Sequence, residues 1–323
     1  MYRKKKVYVV VPTFNEQGTI ARVIKAMPRY VDRIIVVDDA STDRTYAMAS
    51  ALKNRRLRVV RHDVNQGVGG AVITGHRIVI RERADISVVI AGDDQMKPEH
   101  LPKLLDALIV EGYDYAKGNR FYRREYLAGM PGIRVAGNIL LTLLNKLASG
   151  YWSISDPQNG YTAVRVDALR RLDLEDMSRD YQFENDMLLN LNIGDFLVKD
   201  VPIKAVYGEQ KSKIRLLTFI PKTLAFMVSG LVRRMFYKYA IGKFHPIILL
   251  FIPGVLLSAF GLLFGVLAAY ESIGPKTAST GTVMLSVLPL LLGAQMLIAA
   301  LMLDFMESQR RSRLRTEAPN EAS

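Results

Sequence analysis

Cysteine is absent from all 323 residues, tryptophan occurs once and histidine four times. Without cysteine there can be no disulfide, thiolate metal site or thiol nucleophile, and the chain fits a reducing compartment. His62, His76, His100 and His245 lie far apart in the chain, which argues against a histidine-built zinc centre. Acidic residues are in deficit, 31 Asp+Glu against 44 Lys+Arg for a net charge of +13, and such an excess points to nucleic acid or to an anionic membrane surface. No internal repeat is evident, and only the closing "TEAPNEAS" reads as disordered. The opening "MYRKKK" leads into a strand pattern with no apolar signal core, so the expectation is that nothing carries the first part of the chain across a membrane.

Apolar residues are abundant instead, at 50%, and the excess is local. Pro246 to Tyr270 is 25 residues without a charge and Val283 to Leu303 is another 21, each enough for the roughly 20 residues a helix needs to cross a bilayer. Neither run has a polar face, which disfavours a pair of buried helices in a globular core. Arg233, Arg234, Lys238 and Lys243 precede the first run and Arg310, Arg311, Arg313 and Arg315 follow the second, whereas the connection carries only Glu271 and Lys276. By the positive-inside rule both termini are expected in the cytoplasm of a multi-pass cell-membrane protein. The stretch "RLLTFIPKTLAFMVSGLVRRMFYKY" mixes basic and bulky apolar residues as interfacial helices do. The lipid bilayer, not nucleic acid, is therefore the expected partner of the basic charge. The expected divisions are a catalytic domain at 1–213, amphipathic juxtamembrane helices at 214–244, two transmembrane helices at 245–305 and a basic tail at 306–323.

Upstream, Val/Ile-rich runs alternate with helical stretches: "VYVVVPTF" then 17–27, "RIIVVDD" then 43–53, "LRVV" then 67–82, "ISVVIAG" then 99–111, and "YDYAKGNR". Strands that read as continuous apolar runs are buried on both faces, so an α/β fold with a mainly parallel sheet and helices on either side is expected. Ligands of such sheets bind at the carboxyl ends of the strands. Those ends carry Pro12-Thr13-Phe14-Asn15-Glu16, Asp38-Asp39, Asp93-Asp94-Gln95 and Gly118-Asn119-Arg120. Carboxylate and amide oxygens suit magnesium or manganese, and Arg offers a fork for phosphate. Each feature has a structural alternative: Asp39 and Asp43 as helix caps, the glycines of "NQGVGGAVITG" as turns, Asp156-Pro157 as a turn, Arg120 and Arg134 as solvated surface residues, and Lys211 and Lys213 as membrane-attracting charge only.

Nine segments in order, "VPTFNE", "VVDDASTDRT", "NQGVGGA", "GDDQMKP", "GNR", "MPGIRVAGN", "SDPQNGY", "FENDML" and "VPIKAVYGEQKSK", resemble the family 2 glycosyltransferases, in particular dolichol-phosphate mannose synthase and related polyprenyl-phosphate glycosyltransferases. The resemblance implies a nucleotide-binding sheet of the GT-A type and transfer of one mannose, glucose or N-acetylglucosamine, with inversion, from a GDP- or UDP-sugar to a polyprenyl or dolichyl phosphate. Pro12, Phe14, Glu16 and Asp39 would hold base and ribose, and Gly67, Gly69 and Gly70 would lie near the nucleotide. Asp93 and Gln95 would bind Mg2+ or Mn2+ on the donor diphosphate, with Asp93, Asp186 and Arg120 the catalytic set. Arg120, Arg134, Asn138, Ser212 and Lys213 would surround donor and acceptor phosphates. It leaves room for a homo-oligomer. Two positions depart from the pattern: Ala91 stands where a D-x-D motif has its first Asp, and Asp186 where relatives have Glu. The Q-x-x-R-W signature of processive synthases is absent. The alternatives are transfer to a hydroxyl of a lipid-linked or free glycan, and a non-catalytic membrane sensor of nucleotide sugars.

Overall fold

The computed structural model describes residues 1–120, 132–204, 216–241, 244–273 and 278–317, of which 132–138, 216–220 and 311–317 by backbone only. Seven strands, β1 Val7–Thr13, β2 Arg33–Asp38, β3 Leu57–Arg61, β4 Ile86–Val89, β5 Tyr115–Asn119, β6 Thr162–Arg165 and β7 Val198–Pro202, form one sheet in the order β3-β2-β1-β4-β6-β5-β7. β1, β2, β3 and β4 pair in parallel, as do β5 and β7. Short β6 runs antiparallel between β4 and β5. Every residue of β1 is buried, as its unbroken apolar run requires of a strand covered on both faces.

The helices divide between the faces. α1 Ile20–Lys25 and α4 Leu101–Ile109 cover the face carrying Val7, Val9, Val11, Ile34, Val36, Val88 and Ala116. α3 Gly67–Arg81 and α7 Phe183–Ile193 pack on the other, through Val10 and Ile35 for α3 and Val89, Tyr115 and Val164 for α7. α2 Thr45–Ser50, α5 Gly132–Ser149 and α6 Val166–Leu169 complete this part. Because β6 is antiparallel, the loop preceding it arrives at the same sheet edge as the carboxyl ends of β1, β4 and β5.

The chain forms two compact units, Met1–Gly230 and Leu231–Ser323. α8 Leu216–Met235 spans the division, and α10 Thr280–Glu317 continues past residue 305, where the sequence suggested a boundary. The second unit contains α9 Pro246–Glu271 packed along α10, with a π-helical turn at Phe236–Ala240 before it. Both helices are long and apolar enough to cross a membrane. Small residues set their closeness: a side chain at Gly261 would meet the Ser286 carbonyl at 2.6 Å, and one at Gly293 would meet Ser258. Arg234, fully buried, donates Nη1 and Nη2 to the two oxygens of Asp304 at 2.7 and 2.9 Å, and the Tyr239 hydroxyl donates to the same carboxylate. Removing one partner of such a buried pair costs about 3–5 kcal/mol.

Candidate active site

β4 ends at Val89, but its backbone continues beside β1, Ile90 N donating to Val10 O and Gly92 N to Pro12 O. The chain then turns, with Asp94 in the left-handed region at φ 63°. The residues expected on a strand end thus lie on a turn, and their directions come from its hydrogen bonds. Asp93 Oδ1 accepts from Gln95 N at 3.0 Å. Asp94 accepts from Lys97 Nζ at 2.9 Å and pairs with Arg22 at 3.4 Å, so it is tied into the scaffold. Burial pushes the Asp93 carboxyl above its ordinary value, Asp94 adds to this, and Arg120 opposes it.

Glu16 reaches this turn from β1. Its backbone N donates to Thr45 Oγ1 at 2.7 Å, and its Oε2, which accepts from Thr13 Oγ1 at 3.2 Å, occupies the space a side chain at Gly92 would need. Phe14 is exposed at the end of β1, whereas Pro12 is buried within the strand. Arg120, just beyond β5, grips Asp156: Nε donates at 2.8 Å, Nη2 at 3.1 Å and the Arg120 backbone N at 3.1 Å. Asp156 is 1% exposed and is also approached by Asn159 Nδ2 at 3.4 Å. A turn is one of the readings the sequence allows for Asp156; here it orients the arginine.

Five expected site residues, Asp39, Gly67, Gly69, Gly70 and Asp186, lie close against other groups of the protein. Asp39 is 3% exposed, and its carboxylate accepts from Gln66 N at 2.8 Å and Gly67 N at 2.9 Å while contacting His62 Nδ1 at 2.7 Å. It fastens the start of α3. In its neighbour Asp38, Oδ1 is buried without a hydrogen-bond partner among the described residues. The missing side chains at Gly67 and Gly69 leave room for protein backbone: a Cβ at Gly67, whose φ is +84°, would collide with Arg179 O, and one at Gly69 would stand 2.5 Å from Ser178 O. Gly70 N donates to Arg179 O at 3.1 Å. Asp186 is 2% exposed and holds the same loop, accepting from Ser178 N at 2.9 Å and Asn190 Nδ2 at 3.0 Å. Asp186 therefore acts on the glycine-rich turn through Ser178 and Arg179. Arg134 and Asn138 lie on α5, where the backbone alone is described, and Ser212 and Lys213 lie outside the described residues.

The donor chemistry fits a hard divalent cation. Among the described residues, Asp93 Oδ2 and the Gln95 side-chain amide have no protein partner, and a partly buried carboxylate short of donors is stabilised by a cation. No group of three or more His, Asp or Glu forms a complete cage among the described residues. Magnesium binds in such places through one or two protein oxygens, completing its shell with phosphate and water.

Residues 8–173, more than half of the chain, match the family described as Glycosyl transferase family 2, and the chain belongs to it. It is 32% identical over 212 residues to the undecaprenyl-phosphate mannosyltransferase of Micrococcus luteus, covering 63% of this chain and 85% of the relative. It is 29% identical over 220 residues to the UDP-N-acetylglucosamine–dolichyl-phosphate N-acetylglucosaminyltransferase of Methanococcus voltae, covering 64% and 87%. Its fold is similar to glucosyl-3-phosphoglycerate synthase of Mycobacterium tuberculosis in complex with Mn2+, UDP and phosphoglyceric acid, with a TM-score of 0.55 and 25% identity over 72% of this chain and 78% of that one. The sheet is thus of the GT-A type expected from the sequence.

Proposed function

We propose that this glycosyltransferase moves one sugar from a nucleotide diphosphate donor to a polyprenyl or dolichyl phosphate at the cytoplasmic face of a membrane, anchored there by α9 and α10. The observation that carries the reading is the joining, in one chain, of a phosphate-suited sheet edge and two helices of membrane-spanning length. The names of the lipid-phosphate transferases it resembles support the acceptor.

Phe14, exposed at the end of β1, offers a face on which a base can stack. Arg120, held by Asp156 on one edge of its fork, presents fixed positive charge where negative charge develops on the departing diphosphate. Asp93 and Gln95 would hold Mg2+ or Mn2+, which when bound neutralises that diphosphate. A lipid phosphate, with a second pKa near ~6, is already ionised at neutral pH and attacks the anomeric carbon without a protein base. The resemblance gives Arg134, Asn138, Ser212 and Lys213 the task of holding that phosphate.

The test is to incubate membranes containing the full-length protein with each labelled GDP- or UDP-sugar and a polyprenyl phosphate, with and without EDTA, and to count organic-soluble label. Label that is metal-dependent and acid-labile supports the reading; label found only on free or lipid-linked glycan hydroxyls overturns the acceptor assignment.

A further inference from the structure

Behind Arg120 lies a group of charges that the mechanism above does not use. Lys117, in the middle of β5, is fully buried, and its ammonium donates to the Asn159 carbonyl. It shares with Tyr115 the sheet face covered by α7. The acidic groups that act on it are Glu184 most strongly, then Asp156 and Asp200, with Arg120 opposing. A buried lysine is expensive unless paired. Asp156 is already committed to Arg120, and Asp200 Oδ2 accepts from Asn119 Nδ2 at 2.8 Å and Ser155 N at 2.7 Å.

Glu184 differs from these. It lies in the first turn of α7, half-buried, and among the described residues no other residue donates a hydrogen bond to its carboxylate. Gly160 leaves a gap in front of it: a methyl group there would stand 3.4 Å from Glu184 Oε1 and 3.4 Å from Met96 Cε. The carboxylate thus faces two loops, 156–160, which grips Arg120, and 93–97, which carries Asp93 and Gln95. Burial raises the Glu184 carboxyl and Lys117 opposes that rise, while burial brings Lys117 down to about 8, leaving it charged at neutral pH.

We infer that Glu184, facing these two loops, accepts a hydrogen bond from a hydroxyl of the transferred sugar and so determines which sugar the enzyme takes. This rests on the donor reading above. A nucleotide diphosphate lodged at Asp93 and Arg120 brings its sugar toward the same two loops, and a carboxylate to which no other described residue donates is suited to a hydroxyl-bearing ring. A site built to accept one hydroxyl rejects an analogue that lacks or inverts it far more strongly than a site selecting by shape.

The experiment uses full-length protein in detergent with a polyprenyl phosphate, and measures kcat/KM for GDP-mannose, GDP-glucose, UDP-glucose, UDP-galactose and UDP-N-acetylglucosamine, together with deoxy analogues of the preferred donor. In Glu184→Gln, discrimination at one ring position falls about 30-fold or more, while inhibition constants for GDP and UDP stay within about twofold. Lys117→Met gives the same loss at the same position. Unchanged discrimination in Glu184→Gln, or a parallel weakening toward the nucleotides, overturns the assignment and leaves Glu184 as a counter-ion of Lys117. If the wild type transfers nothing to lipid phosphate, the acceptor reading fails; the Glu184 assignment is then decided by calorimetric affinities for the same donors, which keep or lose their discrimination in the variant.

Discussion

Asp156→Asn tests the arginine clamp directly. Asp156 Oδ2 accepts from Arg120 N, Arg120 Nε and Asn159 Nδ2, and Oδ1 accepts from Arg120 Nη2. An asparagine keeps one of these oxygens and turns the other into a donor. With its oxygen in the Oδ2 place, its NH2 opposes Nη2, so one charge-assisted bond and the ion pair are lost together. A bond of that kind contributes about 1.5–3 kcal/mol, and breaking a fully buried pair costs about 3–5 kcal/mol. The Arg120 side chain is 33% exposed, so water re-solvates part of it, and the expected cost is about 2 kcal/mol. For the compact unit Met1–Gly230 that holds the clamp, that is a fall of about 4–8 °C in melting temperature. Because the guanidinium is no longer fixed, turnover should fall about 100-fold. Trp152, the single tryptophan, lies four residues upstream in the same loop, so its fluorescence in full-length protein follows unfolding where the clamp acts. A variant that melts within about 1 °C of wild type and turns over within about twofold of it would refute the argument that Asp156 positions Arg120.

The other predictions concern separate parts of the structure. Asp93→Asn should lower turnover by about 1,000-fold or more and weaken its dependence on added Mg2+ or Mn2+, whereas Asp94→Asn, already bound to Lys97 and Arg22, should cost about tenfold or less; a metal titration of kcat separates the two. Gly69→Ala should destabilise by about 2–3 kcal/mol in a thermal melt, because the new Cβ meets the Ser178 carbonyl, which is backbone and cannot swing away. Burial raises Asp200 to about 7, above its unfolded value, so the stability it contributes is complete below the ordinary carboxylate range and is lost as pH rises through about 7; Asp200→Asn should flatten that decline in melts taken from pH ~4 to ~8. Arg134→Ala should raise KM for the lipid phosphate about tenfold or more and leave the inhibition constant of the nucleotide unchanged, since a neutral side chain cannot replace a phosphate-binding fork.

The strands were legible because burial on both faces demands uninterrupted β-branched runs, and the expected helix at 67–82 matches Gly67–Arg81 nearly to the residue. The antiparallel β6 was not: "TAVR" is four residues long, and nothing local in it declares which neighbours it will pair with. The location of the polar residues at the carboxyl edge was legible, but the division of labour among them was not, because it depends on which donors the fold delivers. "VVDD" shows two aspartates and hides that Asp39 is consumed by Gln66, Gly67 and His62 while Asp38 Oδ1 is left over. "FENDML" directs attention to Asp186, yet Ser178 and Asn190 take its oxygens, and Glu184, two residues earlier, is a carboxylate to which no other residue among those described donates. A signal for that pairing was present in "YAKGNR", where a lysine stands inside a strand expected to be buried on both faces, a placement that requires an acidic partner.

The departure at Ala91 is accounted for by the same logic. Glu16, delivered from the end of β1, already places a carboxylate over Gly92, and burial and Asp94 already raise Asp93. A further carboxylate at 91 would add like charge to a region where ionisation is already costly. A cation that takes most of its ligands from a diphosphate and water requires only one or two oxygens from the protein, and Asp93 with Gln95 has them available. On the proposed reading the alanine would remove a charge without removing the site, and the steep loss expected of Asp93→Asn follows from the same count, because Asp94, the other carboxylate on that turn, is tied to Lys97 and Arg22.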